Sequence, residues 1–218
     1  YSIKNVVGAN EFAPNVTDNA FTNGSAITAL NFAVLASEEL QKPFPQEWQE
    51  VASKIRILKF DDGTTKEKET YDGERIKQAD VNLLTYPLNI INNPKTVLKD
   101  LEYYEPKLAK EGPAMGKSIF AVIYARLGDT KNAYRLYKES YAPNKRPPFG
   151  ALAESATSNN PYFATGAGGM LQTVLFGFGG LKITDQGIEQ GTPNLPKEWK
   201  SLRIKGIGTA KKEYLIQH

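Results

Sequence analysis

Two glutamates in loop-like sequence are the residues best suited to chemistry in this chain of 218 residues. Glu11 lies between the end of a predicted strand and a polar loop, and Glu154 lies in the loop before the last predicted helix. The only histidine is His218 and there is no cysteine, so acid–base chemistry falls mainly to carboxylates. Glycoside hydrolysis needs such a pair, one protonated acid and one ionised base. The alternative interpretation is that both are ordinary solvated surface glutamates.

Other side chains near these loops are suited to holding a sugar. Lys77 and Gln78 open a predicted helix, where they can donate hydrogen bonds to sugar hydroxyls or simply solvate the helix start. The run Gly166–Gly169 lacks the phosphate-loop pattern, and close helix packing explains it better. Aromatic residues that could stack on sugar rings or belong to the core flank the same loops: Tyr1, Phe12, Phe21, Tyr162 and Phe163.

Composition excludes several classes of protein. The net charge is only +3 and is scattered, which does not favour nucleic-acid or membrane-surface binding. No apolar run reaches about 18 residues, so no membrane-spanning helix is predicted. Without cysteine, and with one terminal histidine, neither a metal site nor a cofactor is expected. The first residue is Tyr1, with neither an initiator Met nor a signal peptide, so we expect a fragment of a longer chain.

Apolar residues repeat at helical spacing over most of the chain. Adjacent helices look like antiparallel pairs, which is typical of a bundle, a solenoid or an (α/α) barrel. The charged run 66–75, KEKETYDGER, is predicted to be an exposed loop. After Gly180 apolar residues recur at every second position, which predicts three short strands within 182–218. The predicted helices are 26–40, 46–55, 77–89, 94–104, 115–127, 130–141 and 166–178.

Four segments, in this order, resemble the motifs of glycoside hydrolase family 65. They are NVVGANEFAPNVTDNAFTN, IKQADVNLLTYPL, SNNPYFATGAGGMLQTVLFGFGGLKI and LPKEWKSLRIKGI. The resemblance implies a mainly α fold: residues 1–181 are the later helices of an (α/α)6 catalytic barrel, and residues 182–218 are a small C-terminal β-sheet. It also implies that the N-terminal part of the same enzyme is missing here.

The resemblance implies inverting cleavage of an α-glucoside disaccharide such as trehalose, kojibiose or maltose. Glu11 falls on the family's general acid, and Lys77 and Gln78 fall on residues that hold the glucose. Glu154 lies where hydrolases of the family supply the base that activates water. Phosphorylases of the family bind phosphate there with hydroxyl-rich loops, so the hydroxyls of Ser155, Thr157 and Ser158 keep that alternative open. A non-catalytic helical sugar-binding module is the other alternative.

Expectations about partners follow from the same two lines of reasoning. Helices 26–40 and 115–127 are apolar, and in a partial barrel they would expose broad surfaces, so a homo-oligomer is possible. By analogy with related sugar-degrading enzymes, we expect a periplasmic or extracellular location.

Overall fold

The computed structural model describes all residues from Tyr1 to His218, which form two compact units, Tyr1–Ala109 and Lys110–His218. The first unit contains helices α1 (Ala20–Glu39), α2 (Glu47–Lys54) and α3 (Pro94–Tyr104). Single 3-10 turns cover Val81–Leu84 and Glu105–Lys107. The remainder is loop, joined by isolated β-bridges that pair Val6 with Val16, Lys59 with Thr65 and Ile76 with Leu108.

Local capping signals define the ends of α1 and α3. The Asn93 side chain accepts the N–H groups of Lys95 and Thr96, and Pro94 occupies the first turn, as predicted. Helix α1 begins six residues before its predicted start, because the Asn19 side chain caps it by accepting the Thr22 N–H at 2.8 Å.

Gly24 lies inside α1. A Cβ at Gly24 would lie 2.8 Å from Leu84 Cδ2, so the glycine allows close packing against the turn at Val81–Leu84.

The helix predicted over 77–89 is wrong. Only Val81–Leu84 forms a helical turn, of the 3-10 type, and Pro87 has no N–H to continue a helix. Val81 and Leu84 are nevertheless buried, as their spacing suggested. In this segment the apolar period reflects burial in the tertiary structure and not an α-helix.

The prediction for 66–75 is right that the segment is a loop, since it forms neither a helix nor a strand, but wrong that the whole segment is exposed. Glu67, Lys68 and Tyr71 are 0%, 7% and 1% exposed. The Lys68 ammonium forms an ion pair with Glu74 and lies 4.9 Å from the centroid of the Tyr71 ring. The charges are therefore paired within the unit, so the segment can be partly buried.

The second unit contains α4 (Ala114–Arg126), α5 (Thr130–Tyr141) and α6 (Ala164–Gln172), the last continued by a wider π-type turn over Thr173–Phe178. These helices agree with the predicted ones to within two residues at their N-terminal ends, and Asp129 caps α5 through the Asn132 N–H.

Three separate antiparallel hairpins complete the second unit. They are β1 (Lys145–Arg146) with β2 (Ala151–Leu152), β3 (Leu181–Thr184) with β4 (Gly187–Gln190), and β5 (Ser201–Ile207) with β6 (Lys212–Gln217). The first of the three strands predicted after Gly180 is thus a hairpin of two strands. An aromatic cluster packs the last helix against the segment before β5, with Phe178 and Trp199 ring centroids 5.2 Å apart.

Helices α1 and α4 were both expected to expose broad apolar surfaces, but only α1 has large apolar side chains in the solvent. Helix α4 is covered by α5 and α6, and Phe120, Ala121 and Val122 are fully buried, so the expectation is wrong there. On α1, Phe32 and Leu35 are exposed by 65% and 57%. None of the helices combines the length and the apolarity that a bilayer crossing requires. The domain boundary at residue 181 stays a prediction.

Candidate active site

Three of the four predicted site residues meet in the first unit. The Lys77 ammonium forms an ion pair with Oε2 of Glu11, and the Gln78 side chain is close enough to help to lower the pKa of Glu11. The Glu11 side chain is 55% exposed and that of Lys77 is 29% exposed. The side-chain oxygen of Gln78 is buried and has no partner within the protein. One carboxylate, one ammonium and one amide therefore form a cluster that solvent can reach.

The ion pair determines the charge state of Glu11. The hydrogen bond from Lys77, and then the charge of Lys77, hold the pKa of Glu11 below its ordinary value of 4.5. Glu11 is therefore ionised near neutral pH when it is paired in this way. A proton donor needs a raised pKa, so this arrangement is not the one in which Glu11 can act as an acid.

Asn10 joins the Glu11 segment to the Lys77 segment. Its side-chain oxygen accepts the backbone N–H of Lys77 at 2.8 Å and that of Phe12 at 3.3 Å. Asn10 is only 1% exposed, so these bonds are shielded from water. Sequence reasoning did not single out Asn10. Its position directly before Glu11 was the signal available.

Asp80 anchors the loop that carries Glu11. Its carboxylate accepts the backbone N–H of Asn10 at 3.1 Å, the backbone N–H of Phe21 at 3.3 Å and the Asn19 amide at 3.0 Å. Burial raises the pKa of Asp80, and these hydrogen bonds oppose the rise. The sequence Lys77-Gln78-Ala79-Asp80 thus brings both an exposed ammonium and a buried anchor to the same loop.

A second buried carboxylate, Glu67, lies beside Asn10. Its Oε2 accepts the Asn10 amide at 3.2 Å, and its Oε1 has no partner within the protein. Burial, and then the charge of Asp80, raise the pKa of Glu67 to about 7, while Lys68 opposes the rise. Sequence reasoning missed Glu67 because it lies in a highly charged run.

Glu67 should make the protein less stable as the pH rises. Its pKa is about 7 when folded and 4.5 ordinarily, so between these values the folded state binds more protons than the unfolded state. The free energy of unfolding then falls by up to roughly 3 kcal/mol from about pH 4.5 to pH 7. In Glu67→Gln this decline should be smaller, as measured by urea denaturation at several pH values. Glu102→Gln, an exposed change on α3, is the control, and equal declines in both variants would contradict the prediction.

Glu154 lies in the second unit, two residues after the end of β2. It is half-buried, and its backbone carbonyl accepts the Ala114 N–H at 3.2 Å and the Asn144 amide at 3.3 Å. The backbone at Glu154 is therefore held from two sides. The pairing of Glu154 with Glu11 involves both units and stays a prediction.

The hydroxyls that follow Glu154 are used within their own loop. Ser155 Oγ and Thr157 Oγ1 lie 3.4 Å apart, and Ser158 Oγ accepts the Asn160 N–H at 3.0 Å. At Gly166 a Cβ would lie 3.0 Å from the Phe163 ring and 3.2 Å from Ala114 Cβ, which supports the packing interpretation of that glycine. Of the aromatic residues near the loops, Tyr162 is 81% exposed and Phe12 is 48% exposed.

A cavity of about 440 Å³ opens in the first unit beside Phe12. Asn15, Thr70 and Arg75 are among its lining residues, and its size lies in the range of small-molecule sites. Glu11, Lys77 and Gln78 do not line it. The cavity and the carboxylate cluster are therefore neighbouring but separate features.

Comparison with known proteins identifies the family. Residues 58–144 match the family model described as the glycosyl hydrolase family 65 central catalytic domain. Over all 218 residues the chain is 50% identical to a kojibiose hydrolase from Mucilaginibacter mallensis. The chain belongs to glycoside hydrolase family 65. It spans 32% of the length of that relative, and also 32% of a kojibiose hydrolase from Flavobacterium johnsoniae that is 46% identical over 220 residues.

Two further comparisons bear on the fold and the wider family. A periplasmic/secreted acid trehalase from Candida glabrata is 35% identical over 200 residues, which cover 84% of this chain and 16% of that protein. A solved structure, a putative kojibiose phosphorylase from the human microbiome, superposes with a TM-score of 0.75 at 18% identity, over 99% of this chain and 35% of that one. The prediction of helical hairpins from a family 65 barrel with a small β region is therefore confirmed.

Proposed function

We propose that the full-length protein hydrolyses an α-linked glucose disaccharide and inverts the anomeric centre. The observation that carries the proposal is the 50% identity to a kojibiose hydrolase over all 218 residues. The assignment of Glu154 as the base is part of the proposal and comes from the resemblance to family 65. The second kojibiose hydrolase supports the same class of substrate. The cluster of Glu11, Lys77 and Gln78 supplies the acid and the glucose-binding groups.

In the proposed reaction Glu11 donates its proton to the glycosidic oxygen as the bond from that oxygen to the anomeric carbon breaks. Glu154 takes a proton from a water molecule, whose oxygen attacks the anomeric carbon from the opposite face. The products are the leaving sugar and β-glucose. An inverting pair has its carboxyl groups roughly 6.5–9.5 Å apart, which leaves room for the water. Solvent then returns a proton to Glu11 and removes one from Glu154.

Lys77 has two roles in this proposal. In the absence of sugar it pairs with Glu11 and keeps that carboxylate ionised. When a glucose hydroxyl accepts a hydrogen bond from Lys77, the contact with Glu11 weakens and the pKa of Glu11 rises towards that of a proton donor. Substrate binding would thereby prepare the acid.

Phosphorolysis is the second candidate, because the superposed structure is named a putative kojibiose phosphorylase. In that reaction phosphate replaces water and no base is needed. The Glu154 carboxylate argues against it, because a negative charge where the nucleophile binds would repel phosphate. The loop hydroxyls keep phosphorolysis as the alternative, since Ser158 Oγ accepts the Asn160 N–H and still has its own O–H to donate.

Product analysis of the full-length protein tests this choice. With kojibiose, trehalose or maltose we expect release of glucose at the same rate with and without phosphate. Proton NMR of early time points should show β-glucose before mutarotation, because the reaction inverts. A strict requirement for phosphate, with formation of glucose 1-phosphate, would reject hydrolysis and establish the phosphorylase.

The remaining partners and the location are also proposals. The exposed apolar side of α1, with Phe32 and Leu35, is suited to packing against the part of the enzyme outside this chain or against a second copy. Light scattering of this chain alone, compared with the full-length protein, distinguishes the two. A periplasmic or extracellular location is supported by the secreted trehalase relative, and fractionation of the source cells tests it.

A further inference from the structure

Arg146, on the short strand β1, holds the loop that follows Glu154. Its Nη2 donates to the backbone carbonyls of Ser155 at 3.2 Å, Ala156 at 2.8 Å and Ser158 at 2.9 Å, and its Nε also donates to Ser158 at 3.3 Å. Its Nη1 donates to the carbonyls of Pro143 and Lys145, both at 3.2 Å. All three nitrogens of the guanidinium are therefore engaged with backbone oxygen atoms.

Asn144, two residues earlier, holds the start of the same loop. It is 4% exposed, and its amide donates to the carbonyls of Ala153 and Glu154, both at 3.3 Å. The Ala153 N–H donates back to the Asn144 carbonyl at 2.9 Å. The segment 153–158 is thus fixed by Asn144 at its start and by Arg146 at its end.

The loop needs such contacts because it has few of its own. Residues 155–160 are Ser, Ala, Thr, Ser, Asn and Asn, and none belongs to a helix or a strand. Within the loop the backbone makes one turn bond, from the Ser158 N–H to the Ser155 carbonyl at 3.2 Å. A free loop of small residues samples many backbone conformations, and each residue fixed costs about 1–2 kcal/mol of entropy. Charge-assisted hydrogen bonds from one planar guanidinium offset part of that cost.

We propose that Arg146 is a positioning residue for Glu154, acting through the backbone of the loop and not on the substrate. The inference rests on the proposed role of Glu154 as the base. The position of a base relative to the attacking water must be correct to a fraction of an ångström. On its C-terminal side Glu154 is followed by a loop, so no helix or strand fixes it there. A lysine at position 146 would keep the charge but not the fork that reaches several carbonyls at once.

The test uses Arg146→Lys in the full-length protein. We expect kcat on the preferred disaccharide to fall roughly 10- to 100-fold, with KM nearly unchanged, because Lys77 and Gln78 still hold the glucose. Hydrogen exchange at the amides of 154–160 should become faster, with no change on α4 or α5. Arg203→Lys is the matched control, since Arg203 is an exposed arginine on β5 that pairs with Glu213, and it should behave as wild type.

Chemical rescue separates positioning from general damage to the fold. Guanidinium ion at about 20 mM, far below the molar range in which it unfolds proteins, should restore part of the kcat of Arg146→Ala and should not affect Arg203→Ala. Suppose that Glu154→Gln inactivates the enzyme but Arg146→Lys keeps the wild-type kcat and the wild-type rate of hydrogen exchange. The role of Arg146 would then be overturned, and the role of Glu154 as the base would stand. A loss of kcat in Arg146→Ala that guanidinium does not restore would also overturn the role of Arg146. If Glu154→Gln stays active, the proposed base fails first, and the positioning role fails with it.

Discussion

Glu154→Gln in the full-length protein should remove hydrolysis of every α-glucoside tried, by roughly 10²- to 10⁴-fold. The amide cannot take a proton from the attacking water, and this step is needed whatever the leaving group is. The loss should therefore be as large on α-glucosyl fluoride as on a disaccharide. Rates are measured by glucose release on both substrates, and sugar binding, measured by calorimetry, should persist.

The matched control is Glu198→Gln, which makes the same change at an exposed position of the second unit. It should leave both rates unaltered. If Glu154→Gln keeps more than about a tenth of the wild-type rate, Glu154 is not the base, since a positioned base contributes roughly 10²-fold or more.

Glu11→Gln should have a large effect that depends on the substrate. On a disaccharide the departing oxygen needs a proton, so we expect a loss of roughly 10²- to 10⁴-fold. On α-glucosyl fluoride the fluoride ion leaves without a proton, and the variant should keep most of the wild-type rate. The ratio of the two rates, measured in one enzyme preparation, is the decisive quantity.

Glu38→Gln, an exposed change on α1 in the same unit, is the control for Glu11 and should not alter the ratio. Equal losses on both substrates would contradict the acid role and point to Glu11 as a binding or structural group. Together the two glutamine variants assign the acid and the base without reference to any distance between them.

The buried network around Asn10 explains why Glu11 and Lys77 meet. Asp80 and Glu67 are 70 and 57 positions away from Asn10 along the chain, and each makes a direct hydrogen bond with it. Buried carboxylates of this kind are stable only when donors surround them or when they stay protonated. The Glu11 loop is therefore fixed by hydrogen bonds to two buried carboxyl groups, those of Asp80 and Glu67.

Local signals in the sequence were enough to define most helices. Helix α5 was predicted with its observed limits, since an aspartate cap and a helical apolar period act within a few residues of the chain. Asn93 and Pro94 started α3 for the same reason. The family motifs also contain Glu11, Lys77 and Gln78, and Glu154 lies four residues before the third motif, so the candidate site could be predicted from neighbouring residues.

Tertiary structure alone decided which charged and polar residues are buried. The run 66–75 looks solvated in sequence, yet Glu67, Lys68 and Tyr71 are buried. Lys68 pairs with Glu74 inside the run, and Glu67 accepts a hydrogen bond from Asn10, 57 positions away along the chain. Val81 and Leu84 have helical spacing, but only one 3-10 turn forms there, and Asp80 before it accepts the backbone N–H groups of Asn10 and Phe21 from another part of the chain. Local patterns were enough to predict every helix correctly except the one expected over 77–89, and to identify Glu11 and Glu154 as candidates. The contacts that support Glu11 and Glu154, made by Asn10, Asp80 and Arg146, join residues whose pairing no local pattern encodes, and only the folded chain decided them.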